Sequence, residues 1–128
     1  MRLLVPLALA GCSGFDPDGT WVLTRSAETT DDGQVVVDYP LDLDGSTYTA
    51  SLRVEAPSAW LVDTEDGPGG TVVLEDGPYP FVREEKGVYR VTGVGTGMVC
   101  EADVGTGALM VCEVDFGGGF SIALEYER

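Results

Sequence analysis

Histidine is absent from the chain, lysine occurs once, and cysteine occurs three times, at Cys12, Cys100 and Cys112. Without histidine, the chain lacks the base that most often activates a serine or cysteine nucleophile in acyl transfer. Cys100 and Cys112, with no histidine beside them, fall short of the ligand set that zinc requires. The sequence therefore predicts no enzymatic activity and no metal or cofactor site.

Positive charge is scarce. The chain has 7 Lys and Arg residues against 22 Asp and Glu residues, which gives a net charge of −15. Removal of residues 1–11, which include Arg2, leaves 22 acidic and 6 basic residues and a net charge of −16. Such a surface repels nucleic acids and anionic lipid headgroups. The charge balance argues against a nucleic-acid partner and predicts a solvated acidic surface.

Two acidic stretches have part of the spacing of a calcium-binding loop. Residues 16–19 read Asp-Pro-Asp-Gly and residues 42–45 read Asp-Leu-Asp-Gly. Each lacks the third oxygen-bearing residue and the distal glutamate of a complete loop. We interpret both stretches as acidic turns.

The chain opens with a short apolar leader that ends at a cysteine. Arg2 is its only charged residue, and residues 3–10 are apolar. A permanent transmembrane helix needs about 20 apolar residues, so the leader is too short to span a bilayer. A basic start, an apolar run and small residues before Cys12 are typical of a processing signal.

Leu9-Ala10-Gly11-Cys12 resembles the lipobox of bacterial lipoproteins, and all four positions match. The resemblance implies lipidation of the Cys12 sulfur, cleavage before Cys12 and acylation of the new amino terminus. Ser13 follows the cysteine, which in a Gram-negative host implies sorting to the outer membrane. We therefore expect residues 1–11 to be a signal peptide, Cys12 to anchor the protein in the membrane of the cell envelope, and residues 12–18 to form a short tether.

Residues 19–128 are predicted to form one all-β domain. Apolar and polar residues alternate over 47–54 and 120–127, which is the period of half-buried antiparallel strands. Further β-rich runs cover residues 21–25, 34–39, 59–63, 71–75, 81–83 and 88–92. Asp-Gly pairs, which favour tight hairpins, occur among these runs at residues 18–19, 32–33, 44–45, 66–67 and 76–77. The pattern predicts a meander of short antiparallel strands.

Cys100 and Cys112 flank a predicted hairpin centred on Thr106, with Gly107 in the left-handed position of its turn. In this register the two cysteines are directly opposed, and opposed residues lie within disulfide reach. Export to an oxidising compartment, with Cys12 modified by lipid, leaves these two thiols to pair. The sequence predicts a disulfide between Cys100 and Cys112, with two buried free cysteines as the alternative.

Gly19-Thr20-Trp21 opens the first predicted strand and resembles the Gly-x-Trp start of lipocalin-like proteins. In that family the tryptophan closes one end of an up-and-down barrel, and a basic residue near the last strand packs over the indole. Arg128 occupies the comparable place, and a cation–π contact supplies the physical reason. The resemblance implies a small antiparallel up-and-down β-barrel of roughly 8–10 short strands, with an open β-sandwich as the alternative.

Two functions follow from such a domain. A filled barrel serves as a structural or protein-interaction module of the cell envelope, and small size favours this option because a barrel of short strands has room only for its own side chains. A hollow barrel binds a small apolar ligand, and the candidate lining residues are Trp21, Met98, Met110, Phe120 and Ile122. An enclosed apolar cavity above about 300 Å³ supports the binding module, and a filled core supports the interaction module.

Overall fold

The computed structural model describes residues 15–128. Its strands are β1 (Gly19–Thr30), β2 (Gly33–Asp38), β3 (Leu41–Leu43), β4 (Ser46–Glu55), β5 (Ser58–Gly67), β6 (Gly70–Glu85), β7 (Val88–Val91), β8 (Met98–Ala102), β9 (Leu109–Gly117) and β10 (Phe120–Glu127). In this part of the chain, no helix has the length and apolar character that crossing a bilayer requires. The predicted signal peptide, residues 1–11, and the predicted anchor Cys12 lie outside the described residues.

Eight of these strands form a closed antiparallel barrel. The strands pair in the order β1, β10, β9, β8, β7, β6, β5 and β4, and β4 pairs with β1 to complete the circle. All of the pairings are antiparallel, and most join strands that are neighbours in the sequence. The predicted small all-β barrel is confirmed, and closure of the sheet rules out the open β-sandwich.

The two ends of the barrel differ in width. At one end, here called the closed end, β1 residues 19–22 pair with β4 residues 51–54. Towards the other end, here called the mouth, β1 pairs with β2 and β4 pairs with β3. The hairpin partners β2 and β3 therefore separate β1 from β4 at the mouth. Because the diameter of a barrel grows with the number of strands in its wall, the mouth is wider than the closed end.

The closed half of the barrel is filled by side chains. Trp21, Leu52 and Val54 are fully buried there, where β1 pairs with β4. Met98 is fully buried and Phe81 is 2% exposed in the same core cluster. The remaining buried core residues are Leu23, Ala59, Tyr89, Val91, Cys100, Met110, Cys112, Val114 and Tyr126. All of these residues lie within 19–128, so the barrel contains its own hydrophobic core, the main stabilising element of a folded domain.

The hairpin of β8 and β9 has the predicted register. Cys100 is opposite Cys112 and Met98 is opposite Val114. The turn places Gly107 at a φ of 67°, in the left-handed region that favours glycine. The Sγ atoms of Cys100 and Cys112 are bonded at 2.04 Å, and both cysteines are fully buried. The predicted disulfide pair is therefore present in the barrel core.

The sequence-based strand boundaries were wrong along β6. Residues 71–75 and 81–83 were predicted as two strands with a turn at Asp76-Gly77, but they belong to one strand of 16 residues. Gly77 lies at an irregularity in the pairing of β6 with β5. Its φ is 136°, and a Cβ atom on Gly77 would lie 2.8 Å from the carbonyl oxygen of Ala59. The glycine here allows a bulge within a long strand instead of a hairpin.

Candidate functional site: a cup at the mouth of the barrel

A cup of about 640 Å³ occupies the mouth, lined by residues of β1 to β6 and β10 and by Tyr39 between β2 and β3. Two features of the strands produce it. The inserted strands β2 and β3 widen the wall, and β7 and β8 have only 4 and 5 residues, against 12 for β1 and 16 for β6. The long strands therefore continue beyond the filled core and enclose a space that core side chains do not reach.

The wall of the cup is mainly apolar. Leucine, isoleucine and valine side chains from six strands line it: Leu23, Val35, Val37, Leu41, Leu43, Leu61, Val72, Leu74, Ile122 and Leu124. Those near the core are buried or half-buried, whereas Val35 is 61% and Leu74 65% exposed at the rim. The cup therefore has an apolar interior that is accessible from solvent.

A bulge in β1 decides which of its side chains enter the cup. The pairing of β1 with β10 shifts between Leu23 and Arg25, and the hydroxyl of Thr24 at this point donates a hydrogen bond of 3.1 Å to the carbonyl of Glu125. Because successive strand residues point to opposite faces, one extra residue reverses the alternation. Ser26 and Glu28 consequently line the cup. The guanidinium of Arg25 instead pairs with Asp38, with Nε 3.1 Å from Oδ1.

The ionisable groups of the cup are acids and phenols. They are Glu28, Tyr39, Tyr48, Asp63, Glu65 and Tyr126, and the lining residues include no Lys or Arg. The three carboxylates are exposed to solvent, so they remain hydrated while the cup is empty. The electrostatic environment of the cup is therefore negative throughout.

Tyr126 lies where the filled core meets the cup. Its side chain is in the core cluster, only 3% of the residue is exposed, and it also lines the cup. Burial raises the pKa of the Tyr126 hydroxyl well above its ordinary value, and the nearby Asp63 and Tyr39 raise it further. The hydrogen bonds among residues 15–128 include none to this hydroxyl, although buried polar groups are normally paired.

The closed end is sealed by the start and the end of the described chain. Arg128 Cζ lies 4.1 Å from the ring centroid of Trp21, and the indole Nε1 donates a hydrogen bond of 2.8 Å to the carbonyl of Pro17. Phe15 packs against two aromatic residues of the core, Trp21 and Tyr89. The centroid of its ring lies 6.4 Å from that of Trp21 and 6.3 Å from that of Tyr89. Residues 15–18 of the predicted tether therefore pack against the barrel.

The structure places the five predicted ligand-contacting residues in three environments. Ile122 lines the cup. Trp21, Met98 and Met110 are at most 1% exposed within the filled core. Phe120 stacks on Phe116 with ring centroids 5.0 Å apart, outside the cup lining. The structure thus brings only Ile122 of this set to the cup.

Sequence reasoning missed Leu23, Leu61 and Leu124 as lining residues. The signal for Leu124 was present, because it shares the apolar face of the β10 alternation with Ile122. The sequence signals for Leu23 and Leu61 are less direct. Whether an inward residue lies in the core or in the cup depends on its height in the barrel, and that height follows from strand lengths and register.

The two acidic stretches interact with the backbone and with neighbouring side chains. Asp18 Oδ1 accepts a hydrogen bond of 2.8 Å from the Ala56 amide, and Asp42 Oδ1 accepts one of 2.7 Å from the Thr47 hydroxyl. Within residues 15–128 there is no group of three or more acidic or cysteine side chains placed to hold a metal ion. These contacts support the interpretation of both stretches as turn acids.

Comparison with known proteins adds no family assignment: no protein-family model matches the chain, and no curated protein sequence matches it. The function has therefore to be argued from the barrel, the cup and the leader sequence.

Proposed function

We propose that this protein is a small-molecule binding module that is held at a membrane of the cell envelope by a lipid on Cys12 and takes up an apolar ligand in the cup. The observation that carries the proposal is the apolar cup of about 640 Å³ at the mouth. Ligand pockets in proteins have volumes of about 300–1,000 Å³ and are lined mainly by apolar side chains with a few polar groups.

The barrel architecture supports binding over a purely structural role. The filled core alone is enough to stabilise the barrel, so stability does not require a wide mouth. The strands β2 and β3 nevertheless widen the barrel at the mouth. The aliphatic rim residues Val35, Val72 and Leu74 remain more than half exposed. Covering these side chains with an apolar ligand removes them from water, which is favourable by about 25 cal/mol per Å² of apolar surface.

The leader sequence supports the proposed membrane anchor. The position of Phe15 indicates how the anchored barrel is oriented relative to the membrane. Phe15 packs at the closed end, three positions after Cys12. A chain spans at most about 3.3–3.6 Å per residue, so a lipid on Cys12 keeps the closed end within about 10 Å of the membrane surface. The cup then faces away from the anchoring membrane, towards ligands that arrive from the aqueous phase.

The test uses a soluble form that begins at Ser13, which retains the complete barrel and its core. A neutral probe, decan-1-ol, is titrated below its aggregation limit and the midpoint of thermal unfolding is measured. We expect a concentration-dependent stabilisation, about 2.7 kcal/mol at a hundredfold excess over Kd. The absence of any shift with decan-1-ol and with longer or branched neutral alcohols would contradict ligand binding.

A matched pair of variants locates the bound probe. Ser26→Trp introduces a large side chain into the cup, whereas Ala27→Trp introduces the same side chain on the opposite face of β1. We expect Ser26→Trp to abolish the stabilisation by decan-1-ol and Ala27→Trp to retain it. Equal loss of binding in both variants would place the probe elsewhere.

Protein interaction in the envelope is the second candidate function. The observation that favours it is the exposure of apolar side chains on the outside of the mouth strands, where Val36 is 49% and Val73 58% exposed. If neutral ligands fail to bind, these residues become the first surface to examine. Co-purification from envelope extracts that Val36→Ser and Val73→Ser reduce would then support the interaction module.

A further inference from the structure

We infer that the preferred ligand of the cup is a cationic amphiphile, with an alkyl or aryl body against the aliphatic wall and a protonated amine beside the carboxylates. This inference rests on the proposed function, because it specifies the chemistry of a ligand for the same cup. It excludes fatty acids and other anionic amphiphiles as the main ligands.

All of the charged side chains that line the cup are acidic. Glu28 from β1 and Asp63 and Glu65 from β5 approach the cup from two different strands, and no Lys or Arg lines it. Asp63 lies directly opposite Ala50 in the β4–β5 pairing, beside the aliphatic Leu61. An apolar wall therefore adjoins the carboxylates, as an amphiphile with a positive head requires.

The hydroxyl of Tyr126 is a second polar feature of the cup, separate from the acidic side chains. Tyr126 is 3% exposed at the junction of core and cup, and its hydroxyl has no hydrogen-bond partner among residues 15–128. A hydroxyl in this position can accept a hydrogen bond from an ammonium N–H. Leaving a buried hydroxyl unpaired costs about 1–3 kcal/mol, so a ligand that supplies a donor here gains from the pairing.

The phenol rings add to the same preference. Tyr39, Tyr48 and Tyr126 all line the cup, and the face of an aromatic ring attracts cations. The net charge of −16 that remains after removal of the leader raises the local concentration of cations and repels anions before they reach the mouth. A carboxylate head would instead enter a space with three carboxylates and no counter-charge.

The experiment compares three probes that share one ten-carbon chain: decylamine, decan-1-ol and decanoate. Binding to the soluble form that begins at Ser13 is measured by isothermal titration calorimetry at pH 7 and low ionic strength, below the aggregation limit of each probe. We expect decylamine to bind at least about tenfold more tightly than decan-1-ol, and decanoate at least about tenfold more weakly than decan-1-ol. Added salt should narrow the differences, because it screens the carboxylates.

Matched substitutions on β5 separate a local contact from the general field of the protein. Asp63→Asn removes a carboxylate from the cup, whereas Asp66→Asn removes one from the same strand outside the cup lining, where Asp66 accepts a hydrogen bond from Thr71. We expect Asp63→Asn to reduce the preference for decylamine over decan-1-ol several-fold. Asp66→Asn should retain the preference.

The possible outcomes distinguish this inference from the function on which it rests. Equal affinities for decylamine and decan-1-ol, or tightest binding of decanoate, overturn the cationic preference while the cup remains a binding site. Equal effects of Asp63→Asn and Asp66→Asn overturn the role of the cup carboxylates. Failure of all three probes to bind overturns the proposed function and this inference together.

Discussion

Arg128 lies over the indole of Trp21, with its Cζ atom 4.1 Å from the ring centroid. The same guanidinium donates hydrogen bonds to two carbonyl oxygens, from Nε to Gly107 at 2.7 Å and from Nη1 to Asp18 at 2.9 Å. It therefore ties together the end of β10, the turn after β8 and the segment before β1. The sequence predicted this pair, and its position closes the barrel at the end opposite the cup.

Arg128→Ala should destabilise the barrel by about 1–2 kcal/mol, because it removes the contact with Trp21 and both hydrogen bonds to the backbone. The measurement is the free energy of unfolding in urea, followed by tryptophan fluorescence. Arg53→Ala is the matched control, since Arg53 stacks on Trp60 at 4.2 Å on the outer surface. An unchanged free energy of unfolding for Arg128→Ala would contradict the sealing role of Arg128.

The disulfide makes stability dependent on redox conditions. Cys100 and Cys112 are 12 positions apart, and cross-linking a loop of this length contributes roughly 3 kcal/mol in the chain-entropy model. We expect a reductant to lower the unfolding midpoint of the wild type. The double variant Cys100→Ala, Cys112→Ala should be less stable and insensitive to the reductant. A reductant-induced shift of equal size in that variant would exclude the disulfide as its cause.

Tyr126 should make the barrel sensitive to alkali. Burial raises the pKa of Tyr126 above its ordinary value of 10.0, so the folded state keeps this proton when the unfolded chain loses it. The resulting stability is fully present below pH 10 and falls as the pH rises through the range between the two pKa values. Burial also raises the pKa of Tyr89, so part of the alkaline loss is independent of Tyr126.

Tyr126→Phe tests this dependence in urea titrations at pH 7 and pH 10.5–11. At pH 7 we expect no loss of stability, because the variant removes a hydroxyl that has no hydrogen-bond partner among residues 15–128. At the alkaline pH the variant should lose less stability than the wild type. Parallel losses in the two proteins would show that the Tyr126 hydroxyl does not titrate with unfolding.

Cys12→Ala tests the proposed anchor in the host. Without the Cys12 sulfur, no thioether to lipid can form, so the variant should accumulate as unprocessed precursor and incorporate no labelled fatty acid. Cys100→Ala is the control, because it removes a different cysteine and should leave labelling intact. Incorporation of labelled palmitate into Cys12→Ala, together with recovery of the variant in the membrane fraction, would refute the assignment.

The sequence was most informative where local pattern and burial agree. Alternation along residues 120–127 identified β10, and the facing cysteines identified the register of β8 with β9. Both segments bury one face and expose the other, so a shift of one residue would reverse their inward and outward sides. This requirement is visible in the residue order alone.

The sequence was less informative where irregular backbone decides the geometry. The three-residue strand β3 was not predicted, and the bulges at Thr24 and Gly77 alter the alternation within single strands. The cup depends on such features, because β2 and β3 widen the mouth and the Thr24 bulge turns Glu28 inward. Single-strand periodicity cannot show which strands separate at one end of a barrel.

The central claim is that an apolar ligand occupies the cup, and the most direct measurement is the position of the bound probe by methyl NMR. Decylamine is titrated into isotopically labelled protein that begins at Ser13. The account predicts that methyl signals of Leu61, Ile122 and Leu124 in the cup shift in a saturable manner. Those of Met98 and Met110, which lie in the filled core, should move little. Shifts confined to outward-facing side chains such as Val36 and Val73, or no saturable shift, would contradict the account.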